Sequence, residues 1–126
     1  MRVTKQKELI YYTVMNSCDH PTAETVFERV RKQLPNVSLG TVYRNLAILA
    51  ENGDIKRIVV PNLPDRFDKT VAHHSHFYCR KCGKVFDVDF DNVQQLIDDA
   101  SEKLGVITEK IDVIFAGICK DCINKD

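Results

Sequence analysis

Four of the five cysteines fall in two Cys-x-x-Cys pairs, Cys79-Arg80-Lys81-Cys82 and Cys119-Lys120-Asp121-Cys122, with 36 residues between them. Each pair suits a tight knuckle, and four thiolates close a tetrahedral shell that fits zinc. A closed shell leaves no open coordination position, so the chemistry implied is structural rather than catalytic. Its binding free energy, roughly 10–16 kcal/mol in small zinc modules, would hold together a domain of this size. A thioredoxin-like role fits poorly, because neither pair follows a βαβ pattern. Cys18 has no partner and reads as a buried thiol at a helix end, without an assigned role.

Beside the first pair lies a second donor set of different character. His74 and His76 alternate along an extended segment and can point to one face. Asp68 precedes them, and Asp87 follows in the next strand. Imidazoles with carboxylates make a site for Fe2+, Mn2+ or Zn2+, and two His with one carboxylate favour iron. His20, in the loop before the second helix, could join them, although spacing alone does not place it there.

The elements that must position these groups follow from periodicity. Lys5 to about Cys18 sets Leu9, Ile10, Thr13 and Val14 on one helical face. A second helix starts after Thr22 as N-cap, turns Val26, Phe27, Val30 and Leu34 inward, and stops at Pro35. A third starts after Ser38, spaces Leu39, Val42, Leu46 and Leu49 by three and four, and ends at Asn52-Gly53. Ile55–Val60 and Arg66–Asp68 then read as a hairpin. Three helices and a hairpin give the winged helix-turn-helix order. The polar side of the third helix offers Thr41, Tyr43, Arg44 and Asn45 for phosphate and base-edge contact.

Thr70-Val71 reads as a hinge, dividing an N-terminal winged-helix domain, 1–69, from a small α+β domain, 70–126. In the latter, His76–Arg80, Lys84–Asp89 and Lys110–Ala116 are expected to form a small antiparallel sheet. Its helix, about Asn92 to Leu104, carries Val93, Leu96, Ile97 and Ala100 toward that sheet. So thin a core should lean on a metal and on self-association.

Composition sets outer bounds. At 126 residues, 44% hydrophobic and 29% charged, the chain reads as globular, with one ordinary domain or two very small ones. No apolar run has membrane-spanning length and Met1-Arg2-Val3-Thr4-Lys5 is not a signal peptide, so a cytoplasmic location is expected, where thiols stay reduced. Residues 1–60 hold nine Lys/Arg against six Asp/Glu, and the remainder nine against twelve, which puts the basic excess where an anionic ligand would bind. A small metalloenzyme is disfavoured, because no general acid–base pair or substrate-shaped loop stands out beyond the ligands.

Taken together the motifs resemble the ferric uptake regulator (Fur) family of metal-dependent bacterial repressors. The resemblance is carried by His20-Pro21-Thr22-Ala23-Glu24, by Ser38-Leu39-Gly40-Thr41-Val42-Tyr43-Arg44-Asn45-Leu46 and by Arg66-Phe67-Asp68. It continues through His73-His74-Ser75-His76-Phe77-Tyr78-Cys79-Arg80-Lys81-Cys82-Gly83 and the second cysteine pair. It implies a homodimer on AT-rich palindromic operator DNA, a structural zinc on Cys79, Cys82, Cys119 and Cys122, and DNA contacts by Arg2, Ser38, Thr41, Tyr43, Arg44 and Asn45. Within the family the chain is most similar to the peroxide-sensing (PerR) branch. There His20, Asp68, His74, His76 and Asp87 would hold Fe2+ or Mn2+, whereas the iron-sensing branch usually has Glu at the positions of Asp68 and Asp87. The resemblance then implies that iron and hydrogen peroxide oxidise a ligand imidazole, His20 or His74, and so end repression. The alternative within the family is an iron, manganese or zinc sensor without peroxide sensing.

Two departures from the family pattern stand out. Many members carry a further N-terminal helix ahead of the point where this sequence starts. An additional metal site of some members is expected to be absent, since Ser75, Gln94 and Lys110 replace its His and acidic ligands, although His73 remains.

Overall fold

A computed structural model describes residues 5–71, 75–89 and 92–124. The chain divides into two compact units, Met1–Ala72 and His73–Asp126.

The first unit consists of α1 (Lys5–Met15), α2 (Ala23–Val30), α3 (Leu39–Glu51) and the strands β1 (Lys56–Ile58) and β2 (Arg66–Asp68). Helical spacing brings Ile10 and Val14, Val26 and Val30, and Val42, Leu46 and Leu49 into one core, closed by Val37, Ile55 and Phe67. Both anticipated N-caps form. The Thr25 N–H donates to Thr22 Oγ1 at 3.2 Å, and the Thr41 N–H to Ser38 Oγ at 3.1 Å. At the end of α3, Gly53 takes φ 78°. The Asp54 N–H then reaches the Leu49 carbonyl at 2.9 Å and the Gly53 N–H the Ala50 carbonyl at 3.1 Å, a Schellman closure.

Two helices end before the expected points. α1 stops at Met15 rather than near Cys18, because Ser17 Oγ donates back to the Thr13 carbonyl at 2.6 Å and Asn16 to Asp19 favour turns over helix. Cys18 therefore sits in a loop and is exposed, which corrects its reading as a buried thiol. α2 ends at Val30 and passes through a turn over Arg31–Gln33, ahead of the Leu34-Pro35 step that disfavours helix. β1 and β2 pair antiparallel, with Arg57 opposite Phe67 and Ile58 opposite Arg66. Three helices followed by this hairpin make a winged helix.

The second unit holds β3 (Ser75–Cys79), β4 (Val85–Val88), α4 (Val93–Leu104) and β5 (Ile114–Gly117). Its sheet has the order β4-β3-β5. β3 and β4 pair antiparallel, as expected, while β5 runs parallel to β3 with His76 opposite Ile114 and Cys79 opposite Gly117. β4 already brings the chain back to the start of β3, with Val88 opposite Ser75. The long connection through α4 then carries it past β3 to the other edge, so β5 runs alongside β3 in the same direction. β5 is also shorter than the anticipated 110–116, as it begins only after the charged Lys110–Asp112 pair.

α4 departs from expectation in its surroundings. None of its residues is buried, and Leu96, placed inward by periodicity, is 42% exposed. Among the described residues no element buries its apolar face. Among the described residues no helix is long and apolar enough to cross a membrane.

Candidate metal centre

The two cysteine knuckles meet because β3 and β5 are neighbours. Cys79 ends β3, and the chain reverses through Arg80–Gly83, where Gly83 takes φ 77° and donates to the Cys79 carbonyl at 2.8 Å. A side chain at that φ would be strained, which explains the glycine directly after the pair. The Arg80 N–H donates to the Gly117 carbonyl at 2.9 Å and aligns the second knuckle, whose Cys122 N–H closes on the Cys119 carbonyl at 3.0 Å.

The four Sγ atoms lie within 4.8 Å of one another, with Cys82 and Cys119 at 3.8 Å. None is in a disulfide. Four sulfurs about 2.3 Å from a tetrahedral zinc stand about 3.8 Å apart, so the residues fit that ion. The N–H groups of Cys82 and Cys119 both point at Cys79 Sγ, each at 3.4 Å. Chiefly the Cys82 N–H holds the Cys79 thiol down to about 6, whereas burial first, and neighbouring thiols second, push Cys122 up to about 12. The cluster thus resists full ionisation without a cation. A dication relieves it.

The His/Asp residues form two pairs, one in each unit. In the first unit, His20 Nε2 lies 3.5 Å from Asp68 Oδ2, and both side chains are at least nine-tenths buried. Asp68 closes β2, and its Oδ1 accepts the Thr70 N–H at 2.9 Å. His20 adopts φ 51°, a left-handed conformation that costs a non-glycine residue on the order of 1–3 kcal/mol. Neighbouring bonds hold it there. Arg66 Nη1 donates to the His20 carbonyl at 3.2 Å, the Phe67 N–H to the Pro21 carbonyl at 2.9 Å, and Thr22 bridges to Arg66. On the other side Asp19 is clamped by Arg29 at 2.6 and 3.1 Å, and Arg29 also donates to Ser17 Oγ at 2.8 Å. The Arg29 hydrogen bond keeps the Asp19 carboxyl below its ordinary value.

In the second unit, His76 and Asp87 are direct partners across β3 and β4, with Nε2 and Oδ1 3.4 Å apart. His76 is buried while Asp87 is half exposed. Nitrogen and oxygen ligands at about 2.0–2.2 Å from one ion stand about 3.4 Å apart in a tetrahedral arrangement, so each pair matches the chemistry of a shared divalent cation. His74 lies outside the described residues. Gln94 and Lys110 are engaged with Asp98 and Asp112, at 3.0 and 3.3 Å.

Of the anticipated DNA contacts, Arg2 lies outside the described residues and the rest share the polar side of α3. Ser38 Oγ and Thr41 Oγ1 are 2.9 Å apart, Arg44 Nη2 donates to Thr41 Oγ1 at 3.2 Å, and Asn45 Nδ2 to the Thr41 carbonyl at 2.9 Å. Tyr43 and Arg44 are exposed. Sequence reasoning assigned no role to Arg66 or to the Ser17–Asp19–Arg29 network. The signal for Arg66 was its place two residues before Asp68 on an alternating strand.

The sequence matches the ferric uptake regulator family over residues 1–116. It is 29% identical to the peroxide operon regulator of Bacillus subtilis, covering all of this chain and 87% of that protein. It is 30% identical to the peroxide-responsive repressor PerR of Staphylococcus epidermidis, covering 97% and 81%. The crystal structure of the Campylobacter jejuni peroxide stress regulator superposes with a TM-score of 0.77 at 28% identity, over 93% of this chain and 88% of that one. These relatives are regulators rather than enzymes. By its matched residues and its fold, the chain belongs to the ferric uptake regulator family.

Proposed function

We propose that the protein is a metal-dependent, peroxide-responsive transcriptional repressor that binds palindromic operator DNA as a homodimer. One regulatory Fe2+ or Mn2+ takes its ligands from His20, Asp68, His74, His76 and Asp87, while a structural Zn2+ rests on Cys79, Cys82, Cys119 and Cys122. The observation that carries the reading is the separation of donor chemistry. Closely spaced thiols form a closed set, and apart from them stand imidazole–carboxylate pairs at 3.4–3.5 Å without a sulfur. The similarity to peroxide-responsive repressors supports it further.

Each group then has a task. Thr41, Tyr43, Arg44 and Asn45, with Ser38 at the helix start, meet the major groove, and Arg2 adds a basic contact. The uncovered face of α4 with Leu96 and Leu104, and the exposed Ile107 just beyond it, serve self-association, which gives the two-fold symmetry a palindrome requires. Since His20 and Asp68 belong to one unit and the other ligands to the second, the regulatory ion favours one arrangement of the units, the one that DNA also favours. Bound iron(II) supplies the redox chemistry that activates hydrogen peroxide, and in the net change one peroxide oxygen ends on an imidazole carbon while the other leaves as water. A ligand imidazole so altered, His20 or His74, no longer holds the ion, and repression ends.

The test begins with a duplex selected from a random-sequence pool by the manganese-loaded protein. Fluorescence anisotropy should show binding that needs manganese or iron and weakens steeply with salt. Peroxide should release the iron-loaded complex and spare the manganese-loaded one. Binding that ignores metal, or iron complexes that survive peroxide, contradicts the proposal.

A further inference from the structure

We infer that Arg66 is a positioning residue for His20, setting the orientation of that imidazole before any metal arrives. The inference rests on the reading of His20 as a ligand. His20 is one of two described non-glycine residues with positive φ, and its own preference would take it elsewhere. Arg66 reaches the carbonyl of that very residue from 46 positions along the chain. The flanking contacts come from the same short strand, as Phe67 donates to Pro21 and Arg66 bridges to Thr22.

Alternation along β2 makes this arrangement specific. Arg66 and Asp68 are two residues apart and so share one face of the strand. The first grips the backbone of His20, and the second stands 3.5 Å from its ring. Relaxation of His20 to negative φ would carry the ring away from Asp68. The Arg66 bond therefore holds ring and carboxylate in register, as partners outside the coordination shell do in metal sites generally. A consequence reaches the wing, because Arg66 is also paired to Ile58 of β1. The ligand loop and the hairpin move as one piece.

The experiment is an anaerobic Mn2+ titration of the full-length, zinc-loaded protein, with free ion followed by electron paramagnetic resonance. It compares wild type, Arg66→Met, Arg66→Lys, His20→Ala and the double variant His20→Ala with Arg66→Met. The Met variant should bind roughly 10–100-fold more weakly, the usual cost of losing such a partner. The Lys variant, which keeps a donor, should recover most of the affinity. In the His20→Ala background the Met substitution should cost nothing further, because its effect acts through His20. Wild-type affinity in Arg66→Met overturns the inference, and so does an equal loss in both backgrounds, which would mark general softening. Wild-type affinity in His20→Ala overturns both this inference and the ligand reading beneath it. If Arg66→Met does not fold, by zinc content and thermal melting, Arg66→Gln takes its place in the same cycle.

Discussion

The two units hold their folds by different means. The first buries a continuous apolar core drawn from three helices and the hairpin, with Ile10, Val14, Val26, Val42 and Leu46 fully covered. The second has Cys79, Cys119 and Cys122 at the centre of its buried cluster, with Phe77 and Ile118 packed around them, and a helix with no buried residue. One unit closes by hydrophobic burial; the other gathers four thiols that fit a metal and leaves its helix uncovered. Small domains that lack apolar area commonly rely on such staples. Under the proposed function, DNA reading would fall to the unit with the larger apolar core, and zinc would hold the unit with the smaller one.

The sharpest way to break this contrast is to remove the zinc. Chelation of the reduced protein, or Cys122→Ser, should withdraw on the order of 10 kcal/mol from the second unit and none from the first. Hydrogen exchange should show β3 to β5 losing protection while amides of Val26, Val30 and Leu46 keep theirs. Zinc affinity should also fall with pH, since the ion displaces the Cys122 proton, and fall faster below about 6, where the Cys79 thiol is protonated as well. Competition with a chelator at several pH values measures this.

The converse substitution sharpens the first half of the comparison. Leu46→Ala should cost about 2–5 kcal/mol in the first unit by opening a cavity in its core, with zinc content unchanged. Thermal melting with zinc analysis checks both. A smaller effect is expected at the uncovered helix. Leu96→Lys should weaken self-association by about 1–2 kcal/mol in sedimentation equilibrium and leave the stability of the dissociated chain nearly unaltered.

The smallest expected effect concerns the clamp beside His20. Asp19→Asn should cost roughly 0.2–1 kcal/mol, because the Arg29 pair is largely solvated. Its carboxyl lies below the ordinary 3.8, so the contribution is present above that pH and disappears as pH falls through the folded-state value. Urea melts of both proteins at pH 7 and pH 3 measure it.

What the sequence revealed was local. Thr22, Ser38 and Gly53 mark helix ends through bonds spanning a few residues, and Cys-x-x-Cys spacing carries its own geometry. Features set by distant partners were not legible. The parallel pairing of β5 depends on which edge of β3 a long connection reaches, and the exposure of α4 on how little the other described elements pack against it. Cys18 was misplaced because the Ser17–Thr13 bond ends α1 early. His20 and Asp68 could be named as candidates, but the positive φ of His20 and its tie to Arg66 leave no periodic trace.

The most direct test loads the protein with zinc and iron(II) without oxygen, adds one equivalent of hydrogen peroxide, and maps mass by peptide while counting zinc. The account predicts one added oxygen on a peptide containing His20 or His74, zinc retained on the four cysteines, and loss of duplex binding. Oxidised cysteines with zinc released, or no added oxygen on either histidine peptide, would contradict it.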